Sequence, residues 1–228
     1  MSTAPGIRAV LFDLDGTLLD TAPDMADSLN ALRAEEQLPP LPFDAIRNFV
    51  SHGSNALVRL GFEAAPPERF EVLRARFLEL YRTRLTLRTR PFEGIPELLG
   101  TLERCGLHWG IVTNKPGWLT QPLLQGLGLY ARAAAVVSGD TLAQRKPHPL
   151  PLLHAARQLG VEPDACVYVG DAERDVLAAK AAGMRALVAS FGYIREEERP
   201  HLWPADGWID TPLGVLGWLE TRAPLPVS

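Results

Sequence analysis

Lysine is almost missing from these 228 residues: of 23 basic side chains, only Lys115, Lys146 and Lys180 are lysines. A basic excess is missing too. The 27 acidic side chains outnumber the basic ones, giving a formal net charge of −4 and a pI near 5.8. A protein that grips a nucleic-acid backbone carries a basic domain with clustered Lys and Arg, so that partner is excluded. Cysteine is limited to Cys105 and Cys166, too few for a disulfide framework and without a second Cys or His at metal-ligand spacing. Both read as small buried hydrophobes in a reducing compartment. No apolar run approaches the roughly 18 residues of a membrane span. The first run, Ala9–Phe12, meets Asp13 too soon to be a signal-peptide core. Repeats and low-complexity tracts are also absent. The expectation is a cytoplasmic protein with no nucleic-acid or membrane partner.

What is present is an ordinary globular composition, 46% hydrophobic and 22% charged. The length allows one large domain or two small ones. Short apolar runs without polar alternation stand at Ala9–Phe12, Trp109–Val112, Ala133–Val137, Ala165–Val169 and Arg185–Ala189. Such runs predict strands buried on both faces, hence a parallel sheet. Helix-period stretches follow at Gly117–Leu127, Pro149–Leu159 and Arg174–Ala182, each closed by a glycine at 128, 160 or 183. The alternation predicts a doubly wound α/β fold.

One stretch breaks the rhythm. Between Thr21 and Arg90 only amphipathic segments occur, Ala22–Leu38, Phe43–Leu60 and Glu68–Leu85, separated by Pro39-Pro40-Leu41-Pro42 and Pro66-Pro67. A crossover needs only a dozen or so residues. The excess predicts an inserted α-helical subdomain over residues 21–90, with residues 1–20 and 91–228 forming the sheet-bearing core. Ligands of an open parallel sheet lie outside the carboxyl ends of its strands, so an insertion leaving strand one at that end predicts a lid.

The polar residues cluster at those same ends. Asp13 and Asp15 share a face just past the first strand, where adjacent carboxylates repel unless a cation or a shared proton relieves them. Thr113, Asn114 and Lys115 follow the second run, Lys146 precedes Pro147, and Gly170-Asp171-Ala172-Glu173-Arg174-Asp175 follows the fourth. A helix opening near Asp171 would place Asp171 and Asp175 one turn apart on one face. Each cluster taken singly also reads as a turn, a helix cap or a strand-end hydroxyl. Keeping Lys at 115 and 146 in an arginine-rich chain points to a compact, rotatable point charge at those two places. Lys180 reads as a solvated helix residue.

Together, Asp13-x-Asp15-Gly16-Thr17, Thr113-Asn114, Lys146-Pro147 and Gly170-Asp171-x-x-x-Asp175 resemble the four ordered motifs of the haloacid dehalogenase-like hydrolases, over nearly the whole chain. The resemblance implies a Rossmann-like core with a C1-type helical cap. Within that family, Thr113-Asn114-Lys115-Pro116 and Gly192-Tyr193-Ile194 look most like phosphoglycolate phosphatases and the related N-acetylmuramic acid 6-phosphate phosphatases. It further implies that Asp13 attacks phosphorus, that Asp15 is the general acid and base, and that Thr113, Asn114 and Lys146 hold the phosphoryl oxygens. Mg²⁺ would be held by Asp13, the Asp15 carbonyl, Asp171 and Asp175. Asp15 disfavours a dehalogenase, and the lack of lysine between Thr21 and Arg90 removes the Schiff-base phosphonate cleavers. A mutase like β-phosphoglucomutase keeps both aspartates and stays open. A phosphorylatable signalling module is the rival from another class; its shorter chain has no helical insertion or Asp-Gly-Thr. The expected substrate is a small phosphorylated metabolite, N-acetylmuramic acid 6-phosphate ahead of 2-phosphoglycolate. Arg47, Ser51, His52, Gly53 and Asn55 of the insertion are the expected specificity residues, with Arg47 or His52 meeting a second anionic group.

Overall fold

A computed structural model describes residues 6–221. Its centre is a parallel six-stranded sheet of order β5-β4-β1-β6-β7-β8, built from β1 (Ala9–Phe12), β4 (His108–Val112), β5 (Ala135–Val137), β6 (Cys166–Gly170), β7 (Arg185–Ala189) and β8 (Gly207–Ile209). Residues of β1 alternate between two apolar clusters. Val10 and Phe12 face one with Ile111, Val167 and Leu187; Ala9 and Leu11 face the other with Val112, Tyr168 and Val188. Burial on both faces is what an apolar run without polar alternation dictates. Helices α7 (Leu150–Leu159) and α8 (Glu173–Ala181) cover the second face, whereas α5 (Ile95–Arg104), α6 (Gly117–Gly126) and α9 (Gly214–Glu220) cover the first.

The expected strands are all present within one or two residues of their runs, and β8 is an addition. Another pair was not legible: β2 (Leu19–Asp20) and β3 (Arg90–Pro91) meet antiparallel, Leu19 opposite Pro91. These two-residue strands stand where the chain enters and leaves the helical stretch. Between them lie α1 (Ala22–Glu35), α2 (Phe43–Arg47), α3 (Gly53–Gly61) and α4 (Pro67–Arg82), with a tight 3-10 turn over Val50–His52. Prolines begin these helices where a missing N–H costs nothing: Pro23 lies in the first turn of α1, and Pro67 opens α4. Ile46, Leu57, Phe77 and Tyr81 join the same apolar cluster as Phe12 and Ile111, so the helical stretch packs directly onto the sheet's first face. No described helix is long and apolar enough to cross a membrane.

Register fixes what meets at the carboxyl end. Phe12 stands beside Ile111 on one side and Val169 on the other. Residues one step beyond, Asp13, Val112 and Gly170, are therefore neighbours. The Asp13 N–H donates to the Val169 carbonyl at 2.8 Å, and the Thr113 N–H to that of Val137 at 2.9 Å.

Candidate active site

Side chains from β1 and β6, the first turn of α8 and the Lys146 loop converge below the helical stretch. Lys146 is fully buried, with Nζ 2.9 Å from Asp13 Oδ1 and 2.8 Å from Asp175 Oδ1, and it donates to Tyr168 Oη at 2.7 Å. Tyr168 Oη donates in turn to the Val112 carbonyl at 2.6 Å, which anchors the lysine from beneath. Arg174 approaches Asp13 Oδ2 at 3.7 Å. Asp13, Asp171 and Asp175 each offer an oxygen within 4.8 Å of the others. Sequence spacing alone predicted Asp171 and Asp175 one helical turn apart. The structure corrects this, because α8 starts only at Glu173. Residues 171 and 172 instead form a bend between β6 and α8, and the chain passes so close to the helix that a Cβ on Gly170 would lie 2.5 Å from Asp175. Asp175 Oδ2 accepts from the Ala172 N–H at 3.0 Å, and this fixes its rotamer.

The carboxylates are not equivalent. Burial pushes the Asp13 carboxyl up, but Lys146, Arg174 and the Leu14 N–H hold it below the ordinary carboxylate range. Asp171 goes the other way. Burial, then repulsion from Asp13 and Asp175, pushes it up to about 7, outweighing hydrogen bonds from Ser51 and Tyr193. Asp175 is also raised, by burial first and Asp13 next, against the pull of Lys146 and Arg174. Among the described residues Asp171 Oδ1 is buried without a hydrogen-bond partner. A buried anionic oxygen left bare beside two other carboxylates is the donor set a hard divalent cation takes, so the residues present fit Mg²⁺.

Asp15 sits on the other side of Asp13. Its Oδ1 accepts from Thr21 Oγ1 at 2.6 Å and from Lys115 Nζ at 2.7 Å. Thr21 is at the N-cap position of α1, yet its hydroxyl serves Asp15 rather than the helix. Lys115 also lies 4.7 Å from the centre of the Tyr81 ring on α4. Burial works against its charge, but Asp15 and Tyr81 raise its pKa overall. Just after Asp15, Gly16 has φ +81°, and a Cβ there would collide with Asp171 Oδ2. Only glycine lets the chain turn that tightly against the carboxylate.

Asp13, Asp15, Lys115, Lys146 and Arg174 floor a cavity of about 550 Å³, whose lining does not include Asp171 and Asp175. Its upper wall comes from Met25, Val50–Asn55, Arg74, Leu78 and Tyr81, and its rim from Trp118, Asp140 and Arg145. Asp13, Asp15, Thr113, Asn114 and Lys146 all line it. The Asn114 amide N–H₂ donates to the Lys146 carbonyl at 2.9 Å, so this residue clamps the lysine loop. Of the expected specificity residues, Ser51, His52, Gly53 and Asn55 reach the cavity and Arg47 does not. The Arg47 guanidinium donates to the Gly192 and Phe191 carbonyls at 3.2 and 3.3 Å and lies 4.8 Å from the Tyr193 ring centre. His52 Nε2 is 2.7 Å from Glu198 Oε1, but burial, with Arg174 and Arg195, holds its pKa below the ordinary 6.5. A neutral imidazole already facing a carboxylate is a poor anion receptor. The scarcity of lysine had singled out Lys115 in the sequence without giving it a role, whereas Tyr168 and Arg174 were not predicted as site residues.

The comparisons with known proteins agree with this geometry. Residues 10–189 match the family model described as haloacid dehalogenase-like hydrolase. A phosphoglycolate phosphatase of Xanthomonas campestris pv. campestris is 48% identical over 205 residues, 90% of this chain and 93% of that protein. An N-acetylmuramic acid 6-phosphate phosphatase of Pseudomonas aeruginosa is 41% identical over 216 residues, 94% of this chain and 95% of that one. Among solved structures, one described as a predicted phosphoglycolate phosphatase from Haemophilus somnus superposes with a TM-score of 0.83 at 25% identity, covering 93% of this chain and 97% of that one.

Proposed function

The chain belongs to the haloacid dehalogenase-like hydrolases and is a phosphatase among them; from that premise we propose that it hydrolyses a small phosphomonoester through an aspartyl-phosphate on Asp13. The observation that carries this reading is the pairing of Asp13 with Lys146 and Arg174 at the foot of the cavity. That pairing keeps the nucleophile ionised without a separate base. Asp13 attacks phosphorus as the bond to the leaving oxygen breaks. Asp15 gives its proton to that oxygen, then takes one from the water that attacks the acyl-phosphate, which frees phosphate and restores Asp13. Lys115 and Thr21 both engage Asp15 Oδ1, which leaves Oδ2 as the oxygen that passes the proton. The Thr113 hydroxyl and the Lys146 ammonium hold phosphoryl oxygens, with Asn114 fixing the lysine loop. Asp13, Asp171 and Asp175 would hold Mg²⁺, with the Asp15 carbonyl as a further oxygen. Bound there, Mg²⁺ supplies the charge that lets an anionic nucleophile approach an anionic phosphate. In this reading residues 21–90 act as a cap over a core of residues 1–20 and 91–228.

For the substrate we propose N-acetylmuramic acid 6-phosphate. A cavity of about 550 Å³, with Leu78 and Tyr81 above and Trp118 at the rim, suits a ring-bearing leaving group. Glycolate would leave most of it to water. The alternative, 2-phosphoglycolate, is favoured by the name of the 48% identical relative. Comparing kcat/KM for the two esters decides between them, since the ratio reads differential transition-state binding. A clear preference for 2-phosphoglycolate overturns the substrate assignment. Release of phosphate from an aryl phosphate, dependent on Mg²⁺ and abolished by Asp13→Asn, tests the reaction itself.

A further inference from the structure

Ser51 was expected to contact substrate, and the structure gives its hydroxyl another partner. Ser51 lies in the tight turn Val50–His52 of the helical stretch, and Oγ donates to Asp171 Oδ2 at 2.6 Å. The same oxygen accepts from the Tyr193 N–H at 2.9 Å. Asp171 Oδ2 is thus held by one donor from each layer. Oδ1 is buried and left bare, and Asp171 offers one of its oxygens within 4.8 Å of those of Asp13 and Asp175. The contact is locked from both sides. A Cβ on Gly16 would lie 2.9 Å from Ser51 Oγ, so nothing larger than glycine fits beneath the pair. Four residues upstream, Arg47 ties the chain to the Phe191 and Gly192 carbonyls and stacks on Tyr193. The turn that carries Ser51 is therefore docked on the segment that supplies the second donor to Asp171.

We infer that Ser51 is a positioning residue for the divalent cation, aiming Asp171 Oδ1 into the acidic cluster from the helical stretch. The inference rests on the reading of Asp13, Asp171 and Asp175 as the metal-holding set. Groups that orient a ligating carboxylate set metal affinity by roughly 10–100-fold. Binding of Mg²⁺ and docking of the 47–52 segment then favour each other by the same factor, because linkage is reciprocal.

The test is isothermal titration calorimetry of MgCl₂ into the full metal-stripped chain, wild type against Ser51→Ala, with turnover of an aryl phosphate measured across a Mg²⁺ series. Removing one hydroxyl deletes a single contact, and a melting curve in chelator verifies the fold. The expected result is a Kd for Mg²⁺ raised roughly 10–100-fold, with kcat at saturating Mg²⁺ within about twofold of wild type. Lost metal affinity is recoverable by mass action, and lost chemistry is not. An unchanged Kd overturns the inference. So does a kcat that saturating Mg²⁺ does not restore, which would return Ser51 to the substrate. If the wild type itself takes up no Mg²⁺, the acidic cluster has been misread and the inference falls with it.

Discussion

Replacing Lys146 by methionine, of similar length and without charge, separates the structural from the chemical work of one residue. Lys146 is 2% exposed, lies within 2.9 Å of Asp13 and 2.8 Å of Asp175, and has no water-facing alternative. Removing one partner of a buried ion pair costs about 3–5 kcal/mol, because the remaining charge is left uncompensated. Tyr168 keeps its bond to the Val112 carbonyl, so the loss is confined to the carboxylates. At about 2–4 °C per kcal/mol for a chain of this size, melting in chelator should fall by roughly 6–20 °C. Mg²⁺ at a hundredfold excess over its Kd adds about 2.7 kcal/mol. It acts on the same carboxylates, so the gap to wild type should narrow when it is present. Activity should not follow, since the ammonium proposed to hold the phosphoryl group is gone; a fall of about 10²–10³ in kcat is expected. Scanning calorimetry with and without Mg²⁺, beside an aryl phosphate assay, reads both quantities. A metal-free variant melting within about 2 °C of wild type would refute the argument, for it would show these pairs to be energetically idle.

Three other outcomes follow from the same geometry. Asp171, raised from 3.8 to about 7, binds its proton more tightly folded than unfolded; stability from this group is full below about 4 and is lost as pH rises through about 7, so chelator melts should fall across that window and Asp171→Asn should flatten the fall. Asp24, buried at the start of α1, accepts from the Arg88 N–H at 2.9 Å, the Thr89 N–H at 2.8 Å and Thr89 Oγ1 at 2.7 Å. Asp24→Ala strands those donors and should cost about 2–4 kcal/mol by urea denaturation, with a change under about 0.5 kcal/mol counting against the staple. Trp118, 47% exposed at the cavity rim, should carry about 0.5–1.5 kcal/mol of ring contact. Trp118→Ala should therefore raise KM for N-acetylmuramic acid 6-phosphate roughly 2–12-fold while 2-phosphoglycolate turnover stays level; equal effects on both would reject the ring-stacking role.

Much of this was legible because burial on both faces leaves a plain mark. Val10 to Phe12 has no polar alternation, and the first polar residue after it, Asp13, had to emerge at the strand's end. Gly160 likewise closes α7 with φ +64°. β8 escaped because its apolar run, Gly207-Trp208-Ile209, is only three residues long between Asp206 and Asp210. The β2–β3 pair escaped because two residues carry no period. The start of α8 was misplaced since Asp171, an apparent N-cap, is held by Ser51 and Tyr193 instead of by the helix. Arg47 misled for a similar reason: residue type says that a cation is available, and only the fold says that two carbonyls and an aromatic ring already hold it. Lysine usage was the subtler signal. Lys115 and Lys146 are buried against site carboxylates, whereas the exposed Lys180 pairs with Asp206 at 3.0 Å.

On the proposed reading of the site, the balance of buried charge favours an order of binding. Lys115, Lys146 and Arg174 face Asp13, Asp15, Asp171 and Asp175, three cations against four carboxylates. Near neutrality and without metal, Asp171 retains a proton for much of the time, which brings the set close to neutral. A neutral, largely desolvated site gives a phosphate dianion little reason to leave water. A divalent cation held by Asp13, Asp171 and Asp175, as proposed, would take Asp171 without its proton and leave the set net positive beneath the cavity. Coulomb attraction would then offset the dehydration of the phosphate. Arg145 at the rim adds charge where an incoming anion first meets the protein. The raised Asp171 is thus the hinge of the design, because the same repulsion that keeps it protonated alone makes it a ligand once a cation arrives.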